Sequence, residues 1–217
     1  MTKAEREEKA RLKLEAERER LYLMSEYERK FADAEYICGV DEVGRGPFAG
    51  PVMAGAVILP KDCEILYLND SKKLSYKKRE ALFDEIREKA VSYFVARVEP
   101  SRIDEINILQ ATYEAMREAI NNLSVRPDII LVDAVNIPGI DIRQESIIKG
   151  DAKSVSIAAA SIIAKVTRDR VMEEYAKEYP GYGFERNMGY GTAEHRAALK
   201  EKGATPIHRR SFIHNYI

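Results

Sequence analysis

The sequence predicts an α/β domain in which helices flank a mixed β-sheet. Short apolar segments typical of strands alternate with longer segments that have the periodicity of helices. A short turn rich in Gly and Pro joins two early strand segments and favours an antiparallel hairpin, whereas a later strand that follows a long helix favours parallel pairing. With 217 residues, 45% hydrophobic and 33% charged, the chain fits one globular domain that can bury a core.

Five strands and four helices are predicted for the body of the chain. Runs of apolar and β-branched residues predict strands at residues 36–40, 52–59, 91–98, 129–132 and 146–148. Helical periodicity predicts helices at residues 76–89, 103–122, 152–178 and 193–202. Ser75 and Thr192 are the expected N-caps of the first and last of these helices, and Gly203 is the expected C-cap of the last.

Residues 1–34 predict a charged helical extension ahead of the main domain at residues 35–217. Its apolar residues fall near one helical face and are Leu14, Leu21, Met24, Tyr27 and Phe31. Positive and negative charges nearly cancel along this segment, so a helix docked by one apolar stripe is favoured over a partner-binding arm. The sequence does not indicate what the extension contributes.

The composition says more about the cellular compartment of the protein than about its binding partner. No apolar run approaches the roughly 20 residues of a membrane span, and the chain is charged from Lys3 onward without the apolar segment of a signal peptide. Cys38 and Cys63 lack the spacing of paired metal ligands and lie in or beside apolar stretches. Both are therefore expected to be buried, reduced thiols of a cytoplasmic protein. The net charge of −1 does not exclude a polyanion partner, because such a partner needs only a local basic surface.

Two adjacent acids, Asp41 and Glu42, end the first apolar strand. Burying them is costly unless each carboxylate is paired or bound to metal. Successive strand side chains point to opposite faces, so both acids can serve one site only if the chain turns here, and Gly44 and Gly46 supply a turn. From this segment alone, an ordinary polar strand end is about as well supported as a functional site. A dinucleotide-binding loop is excluded because Pro47 leads towards another strand rather than a helix.

Asp133 and Asp151 are candidates for the same site. Asp133 ends a second apolar strand, and functional side chains gather at such strand ends. Asp151 precedes a helix whose first turns are lined by Ala and Ser, so this helix can lie close to the sheet and hold Asp151 near the strand ends. A simple N-cap is the commoner role for such an Asp. If the acids meet, a divalent metal is the natural counter-charge, and oxygen-only ligation suits Mg²⁺ or Mn²⁺.

Five blocks of the sequence, in order, closely resemble ribonuclease HII, the type 2 bacterial ribonuclease H. They are residues 40–47, 69–74, 132–134, 149–168 and 190–212. The resemblance implies a ribonuclease H-like sheet with an N-terminal helical extension and C-terminal helices. It also implies that Asp41, Glu42, Asp133 and Asp151 form a catalytic carboxylate tetrad that binds two Mg²⁺ or Mn²⁺ ions.

The resemblance also implies a substrate surface. Gly44, Arg45 and Gly46 would contact the region of the ribose 2′-OH through backbone groups, and Tyr190 would stack on the sugar that follows the ribonucleotide. The segment with Ser71 and Lys72 offers a hydroxyl, an ammonium and N–H groups to a phosphate, although a solvated, capped helix start is equally compatible. Arg209 is a further candidate for phosphate contact, with an ordinary surface arginine as the alternative.

The implied activity is metal-dependent hydrolysis of the RNA strand of RNA–DNA hybrids, with incision 5′ to single ribonucleotides in duplex DNA. The products would be a 3′-OH and a 5′-phosphate, as ribonucleotide excision repair requires. A type 3 ribonuclease H that prefers long hybrids, or a non-catalytic hybrid-binding protein, is the alternative. The protein is expected to be a cytoplasmic monomer that does not bind membranes.

Overall fold

The computed structural model describes residues 1–216 and confirms the mixed sheet. Five strands form it in the order β3-β2-β1-β4-β5. They are β1 (Ile37–Val43), β2 (Val52–Ile58), β3 (Ser92–Val98), β4 (Ile129–Asp133) and β5 (Arg143–Ile147). Neighbours β1–β2 and β2–β3 pair antiparallel, whereas β1–β4 and β4–β5 pair parallel. The central strand β1 therefore joins the antiparallel and parallel parts of the sheet.

Eight α-helices accompany the sheet within residues 1–216. They are α1 (Lys3–Met24), α2 (Glu26–Lys30), α3 (Tyr76–Lys89), α4 (Pro100–Asn121), α5 (Val155–Glu178), α6 (Phe184–Asn187), α7 (Ala193–Lys202) and α8 (Arg210–Ile213). The bounds of α3 and α7 agree with the predictions. The Thr192 hydroxyl accepts a hydrogen bond from the His195 N–H as an N-cap should, whereas the Ser75 hydroxyl makes no such bond. None of these helices is long and apolar enough to cross a membrane.

The sheet separates two hydrophobic cores because its strands are apolar on both faces. On one face, side chains such as Val40 and Val132 pack with Met116 of α4. On the other face, Val57 packs with residues of α5 and α3, including Ile162. Burial on both faces explains why the strands read as continuous apolar runs.

Helix α5 lies unusually close to β1 and β2, as the Ala- and Ser-rich pattern predicted. A side chain at Gly39 would place its Cβ 2.0 Å from the backbone carbon of Ser156, and one at Gly55 would place its Cβ 2.6 Å from the Ala160 oxygen. Such distances are far below van der Waals contact, so only glycine fits at both strand positions. Small residues on both sides thus bring the start of α5 against the ends of the central strands.

Several predicted boundaries are wrong, including β1, which ends at Val43 rather than at 40, and α4, which begins at Pro100 rather than at 103. Helix α5 begins at Val155 rather than at 152, because Ser154 takes the N-cap position and its hydroxyl accepts the Ile157 N–H. The preceding Gly150–Ala152 forms a 3-10 turn, so Asp151 is not the N-cap. The fifth strand is Arg143–Ile147 rather than 146–148, because exposed polar residues hide its pairing with β4. The short helices α6 and α8 carry too few residues for a periodic signal.

The N-terminal segment forms two helices rather than the single helix predicted. They meet at Ser25, and the early turns of α1 are largely exposed. The end of the segment is part of the domain core, because Leu21 and Met24 are buried beside α3 and α5, and Phe31 is buried against β4 and β5. An apolar stripe therefore docks the segment, as expected.

Glu28 of α2 also ties this segment to the start of α5. Its Oε1 accepts hydrogen bonds from the Ser154 hydroxyl at 2.5 Å and from the Ser156 N–H at 3.0 Å. A carboxylate here is favourable because the first N–H groups of a helix lack intrahelical partners and carry partial positive charge. The N-terminal segment thus caps the helix that follows Asp151.

Replacing Glu28 is expected to destabilise the domain. Glu28→Ala leaves the Ser156 N–H without its acceptor and should lower the free energy of unfolding by about 1–2 kcal/mol, measured by urea denaturation. Glu19→Ala changes an exposed acid of α1 and should stay within about 0.5 kcal/mol of wild type. Equal stability of the two variants would show that the Glu28 contact contributes nothing.

Candidate active site

Parallel pairing places Asp41 and Asp133 side by side. The register of β1 and β4 ends with Val40 opposite Val132, so the next residues in both strands are the two acids. Asp41 shares a face with Gly39, two residues earlier, which lies against α5. Asp41 is buried beneath that helix, and Asp133 is partly buried. The predicted meeting of the two strand ends is confirmed.

Glu42 follows Asp41 in a strand that stays regular to Val43. The turn expected at the acids therefore comes slightly later, at Gly44, whose φ is +87°. Strand alternation separates the two side chains, yet the charge of Asp133 raises the pKa of both acids. The Glu42 carboxylate also lies 3.3 Å from the Arg45 guanidinium. All three acids share one electrostatic environment.

Asp151 reaches this environment through a tight contact of the preceding residue. The Gly150 N–H donates to Oδ1 of Asp133 at 2.7 Å, and a Cβ at Gly150 would lie 2.6 Å from Cδ1 of Ile157. Gly150 therefore fits between the Ile157 side chain of α5 and the end of β4, where its Cβ would lie 3.4 Å from the Cα of Asp133. Asp151 is 9% exposed, and burial together with the charges of Asp70 and Asp133 raises its pKa.

The acids are short of positive charge. Burial, and then the charge of Glu42, holds the pKa of Asp41 well above its ordinary value, and burial also raises the pKa of Glu42. A set of desolvated carboxylates suits a hard divalent cation. However, no three His, Cys, Asp or Glu side chains within residues 1–216 are grouped closely enough to hold one ion as they stand. The four acids therefore share a field without forming a closed set of ligands.

Lys72 is an exposed cation near this cluster. Burial lowers its pKa, but the charges of Asp41, Asp70 and other acids raise it overall. Ser71, in contrast, is buried, and its hydroxyl accepts a hydrogen bond from the Ser161 hydroxyl at 2.9 Å, so it contacts α5 rather than solvent. Asp70 was missed by the sequence reasoning, because its place before a 3-10 turn indicates only a cap, and its Oδ1 does accept the Lys72 N–H.

The loop after β1 and Tyr190 lie next to each other. A Cβ at Gly46 would lie 3.7 Å from a ring carbon of Tyr190. The tyrosine side chain is 46% exposed, so its ring is accessible beside the loop. The Phe48 N–H donates to the Gly189 carbonyl at 2.8 Å, which ties the two segments together through the backbone.

Arg209 does not occupy the position expected of a phosphate ligand. Its side chain is fully buried and donates to the carbonyls of Gly44, Arg45 and Gly50. Direct phosphate contact by Arg209 is therefore a wrong prediction, because its donors point into the protein. Arg168 has a similar buried position and was missed, since an arginine within a long helix gives no signal in the sequence.

Two buried histidines hold the backbone at Tyr190. The Thr205 N–H donates to Nδ1 of His208, so His208 carries its proton on Nε2 and donates it to Nε2 of His195, 2.9 Å away. His195 is then protonated on Nδ1 and donates to the Tyr190 carbonyl at 3.0 Å. This chain of hydrogen bonds requires both imidazoles to be neutral.

Residues 38–215 match the family model for Ribonuclease HII. The chain belongs to the ribonuclease HII family. A Ribonuclease HII of Lachnoclostridium phytofermentans is 66% identical over 94% of this chain and 80% of its own length. A Ribonuclease HII of Acetivibrio thermocellus is 55% identical over 98% of this chain and 84% of its own length. The resemblance stated from the sequence is confirmed, and with it the class of enzyme, an endoribonuclease of the ribonuclease H type.

Solved structures confirm the ribonuclease H fold. The ribonuclease H2 from Pyrococcus horikoshii OT3 superposes with a TM-score of 0.69 at 32% identity, covering 81% of this chain and 93% of that one. Bst-RNase HIII in complex with Mn²⁺ has a TM-score of 0.63 at 18% identity, covering 82% and 67%. The second likeness shows the fold alone.

The histidine pair gives this ribonuclease HII chain an acid-sensitive element. Burial, and then the neighbouring His195, lowers the pKa of His208 from 6.5 to about 4. The unfolded chain thus takes up this proton at a higher pH than the folded protein, so the free energy of unfolding should fall as the pH drops from about 6.5 through about 4. His208→Gln cannot titrate and should have a flatter stability curve across this window, measured by urea denaturation at several pH values. His214→Gln, at an exposed histidine, should keep the wild-type slope. Parallel curves for wild type and His208→Gln would contradict the role of His208.

Proposed function

We propose that this ribonuclease HII is a metal-dependent endonuclease that cuts the RNA strand of RNA–DNA hybrids. It also incises 5′ to single ribonucleotides in duplex DNA, leaving a 3′-OH and a 5′-phosphate, as ribonucleotide excision repair requires. The observation that carries the proposal is the register of β1 and β4, which sets Asp41 beside Asp133 with Glu42 and Asp151 in the same field. A cytoplasmic, monomeric state remains a prediction.

In this proposal Asp41, Glu42, Asp133 and Asp151 are the metal ligands and catalytic acids. These acids would hold a pair of Mg²⁺ or Mn²⁺ ions, which would supply charge stabilisation for a phosphodiester displacement. Burial, and then neighbouring acidic charges, raise the pKa of Asp41 and Asp151, and a bound cation would offset both effects. Within residues 1–216 the acids do not form a closed ligand set as they stand, so a cation would have to draw them closer together. The Mn²⁺ complex of Bst-RNase HIII supports metal binding by this fold.

The loop at Gly44, Arg45 and Gly46 is proposed to read the ribose. Only the 2′-OH distinguishes RNA from DNA at a given position, and a backbone without bulky side chains can approach it closely. The N–H groups of Arg45 and Gly46 have no protein acceptor within residues 1–216, so they are available to a substrate oxygen. Tyr190 lies beside Gly46 with an exposed ring, as stacking on the following sugar requires.

Lys72 is proposed to contact the scissile phosphate region. Lys72 is exposed, and its ammonium is near enough to Asp41, Asp70 and Asp151 for their charges to raise its pKa against the opposing effect of burial, so a phosphate that approaches these acids would come close to it. A phosphate there would meet one fixed positive charge among the carboxylates. Ser71 would not contact the phosphate through its hydroxyl, which bonds to α5. It would instead help to hold the segment that carries Lys72, since its carbonyl accepts a hydrogen bond from Arg79.

Asp41→Asn is expected to abolish nicking without harming the fold. A duplex with one ribonucleotide should be cut by wild type in Mg²⁺ or Mn²⁺ but not in chelator, and Asp41→Asn should cut at least about 100-fold more slowly. Melting in chelator should show equal or higher stability, because the variant removes a buried carboxylate that Glu42 repels. Asp84→Asn, at an exposed acid of α3, is the matched control. Absence of nicking by wild type in metal would refute the proposed function.

Tyr190→Ala should impair cleavage at the RNA-to-DNA junction more than it impairs duplex binding. Losing one stacking contact is expected to lower the nicking rate on the order of tenfold, whereas Tyr190→Phe keeps the ring and most of the rate. Tyr76→Ala removes another exposed tyrosine and serves as the control. Rates and affinities are measured on the same single-ribonucleotide duplex. An equal loss in binding and in rate would argue against a role at the junction.

A further inference from the structure

Two arginines are buried side by side beneath the loop of residues 44–51. Arg168 and Arg209 both have no exposed surface, and neither forms an ion pair with a carboxylate in the described part of the chain. Burial lowers the pKa of Arg168 to about 10 and that of Arg209 to about 9, so both remain charged at neutral pH. Buried charge without a counter-ion costs stability, and apolar residues would be cheaper. The arrangement therefore calls for a function.

Both guanidiniums donate to backbone carbonyls, mainly those of the loop. Arg209 makes four hydrogen bonds, to the carbonyls of Gly44, Arg45 and, twice, Gly50. Arg168 makes three, to the carbonyls of Pro51, Ala49 and Met188. The planar fork of arginine can hold several acceptors at fixed angles, which lysine cannot do. The two side chains thus determine which way the loop carbonyls point.

This orientation has a direct consequence for the N–H groups of the loop. In a trans peptide the carbonyl and the N–H point in opposite directions, and no peptide within residues 1–216 is cis. The Gly44 carbonyl points at Arg209, so the Arg45 N–H points away from it. The Arg45 carbonyl also points at Arg209, so the Gly46 N–H does the same. Gly46 borders the exposed ring of Tyr190, which places these donors on the side open to substrate.

The loop and the arginines fit too closely for the carbonyls to turn freely. A Cβ at Gly44 would lie 2.2 Å from Nε of Arg168, and one at Gly50 would lie 2.4 Å from Sδ of Met172. Both glycines have φ near +86° in a region that other residues rarely adopt, with values of +87° and +85°. The arginines therefore replace regular secondary structure as the support of this segment.

We propose that Arg209, supported by Arg168, is a positioning residue that turns the Arg45 and Gly46 N–H groups towards the ribose of the substrate. The proposal rests on the proposed function, because it deepens the assignment of the loop as the reader of the 2′-OH. Arg209 itself touches no substrate. It acts by fixing two peptide planes before the substrate arrives, which lowers the cost of ordering on binding.

The test measures ribonucleotide preference in binding. Affinities of wild type and Arg209→Lys are compared for a DNA duplex with one ribonucleotide and for the same duplex in all-DNA form, both in chelator so that neither is cut. We expect Arg209→Lys to lose about tenfold in the ratio of the two affinities, the effect of misplacing about one good hydrogen bond, while its affinity for all-DNA duplex stays unchanged. A purely structural role would weaken both affinities together.

Arg126→Lys is the matched control. Arg126 is exposed, donates to the Asp141 carbonyl at 2.9 Å and precedes β4, at the end of that strand opposite Asp133. For Arg126→Lys, the ratio of the affinities for the single-ribonucleotide duplex and the all-DNA duplex should equal that of wild type. An unchanged ratio in a folded Arg209→Lys would overturn the proposal. A wild type without any preference for the ribonucleotide would instead refute the proposed function, and this inference with it.

A second measurement decides the matter if Arg209→Lys does not fold. In wild-type protein labelled with ¹⁵N, the amide signals of Arg45 and Gly46 should shift with the single-ribonucleotide duplex and not with the all-DNA duplex. The Nη protons of Arg209 should exchange slowly in both, because buried carbonyls hold them. Equal amide shifts with the two duplexes would contradict the inference without any variant.

Discussion

The parallel pairing of β1 with β4 is the constraint on which the site depends. In-register parallel strands carry neighbouring side chains on the same face, so two acids that are 92 positions apart become adjacent where both strands end. The same face must also admit α5, and the glycines of β1 and β2 leave room for its backbone. A side chain at Gly39 would push α5 away and move Asp151 from the other acids. The acids therefore lie together only when the register of β1 with β4 and the close approach of α5 are both kept.

The buried charges of the site lower the free energy of unfolding of the domain. Buried carboxylates that repel one another, and buried guanidiniums without carboxylate partners, each cost free energy that an apolar residue would not. The cores on both faces of the sheet offset this cost with dense aliphatic packing. The buried guanidiniums are also kept apart from the buried acids, with Asp41 under α5 and Arg209 under the loop that follows β1. Direct ion pairs between them would remove the unpaired charge on which the proposed site depends.

The sequence predicted what depends on local pattern. Apolar runs, caps and helical periodicity located four of the five strands and the helices α3 and α7, and glycines beside acids indicated the strand ends. It failed where distant contacts decide. Exposed polar residues gave no sign that β5 pairs with β4, and Ser154 rather than Asp151 caps α5 because Glu28, far away in sequence, also binds there. An arginine buried among carbonyls looks the same in sequence as one on the surface, which explains the error at Arg209.

The chain beyond α5 packs against the loop after β1 rather than adding a separate layer. The Gly50 N–H donates to the Ile207 carbonyl and the Arg209 N–H to the Phe48 carbonyl, so the loop after β1 acquires its hydrogen-bond partners from a segment about 160 residues later. The histidine pair fixes the Tyr190 carbonyl from the same segment. The carboxylate cluster and the loop are thus two parts of one site, the first formed by the sheet and α5 and the second by the return of the C-terminal segment.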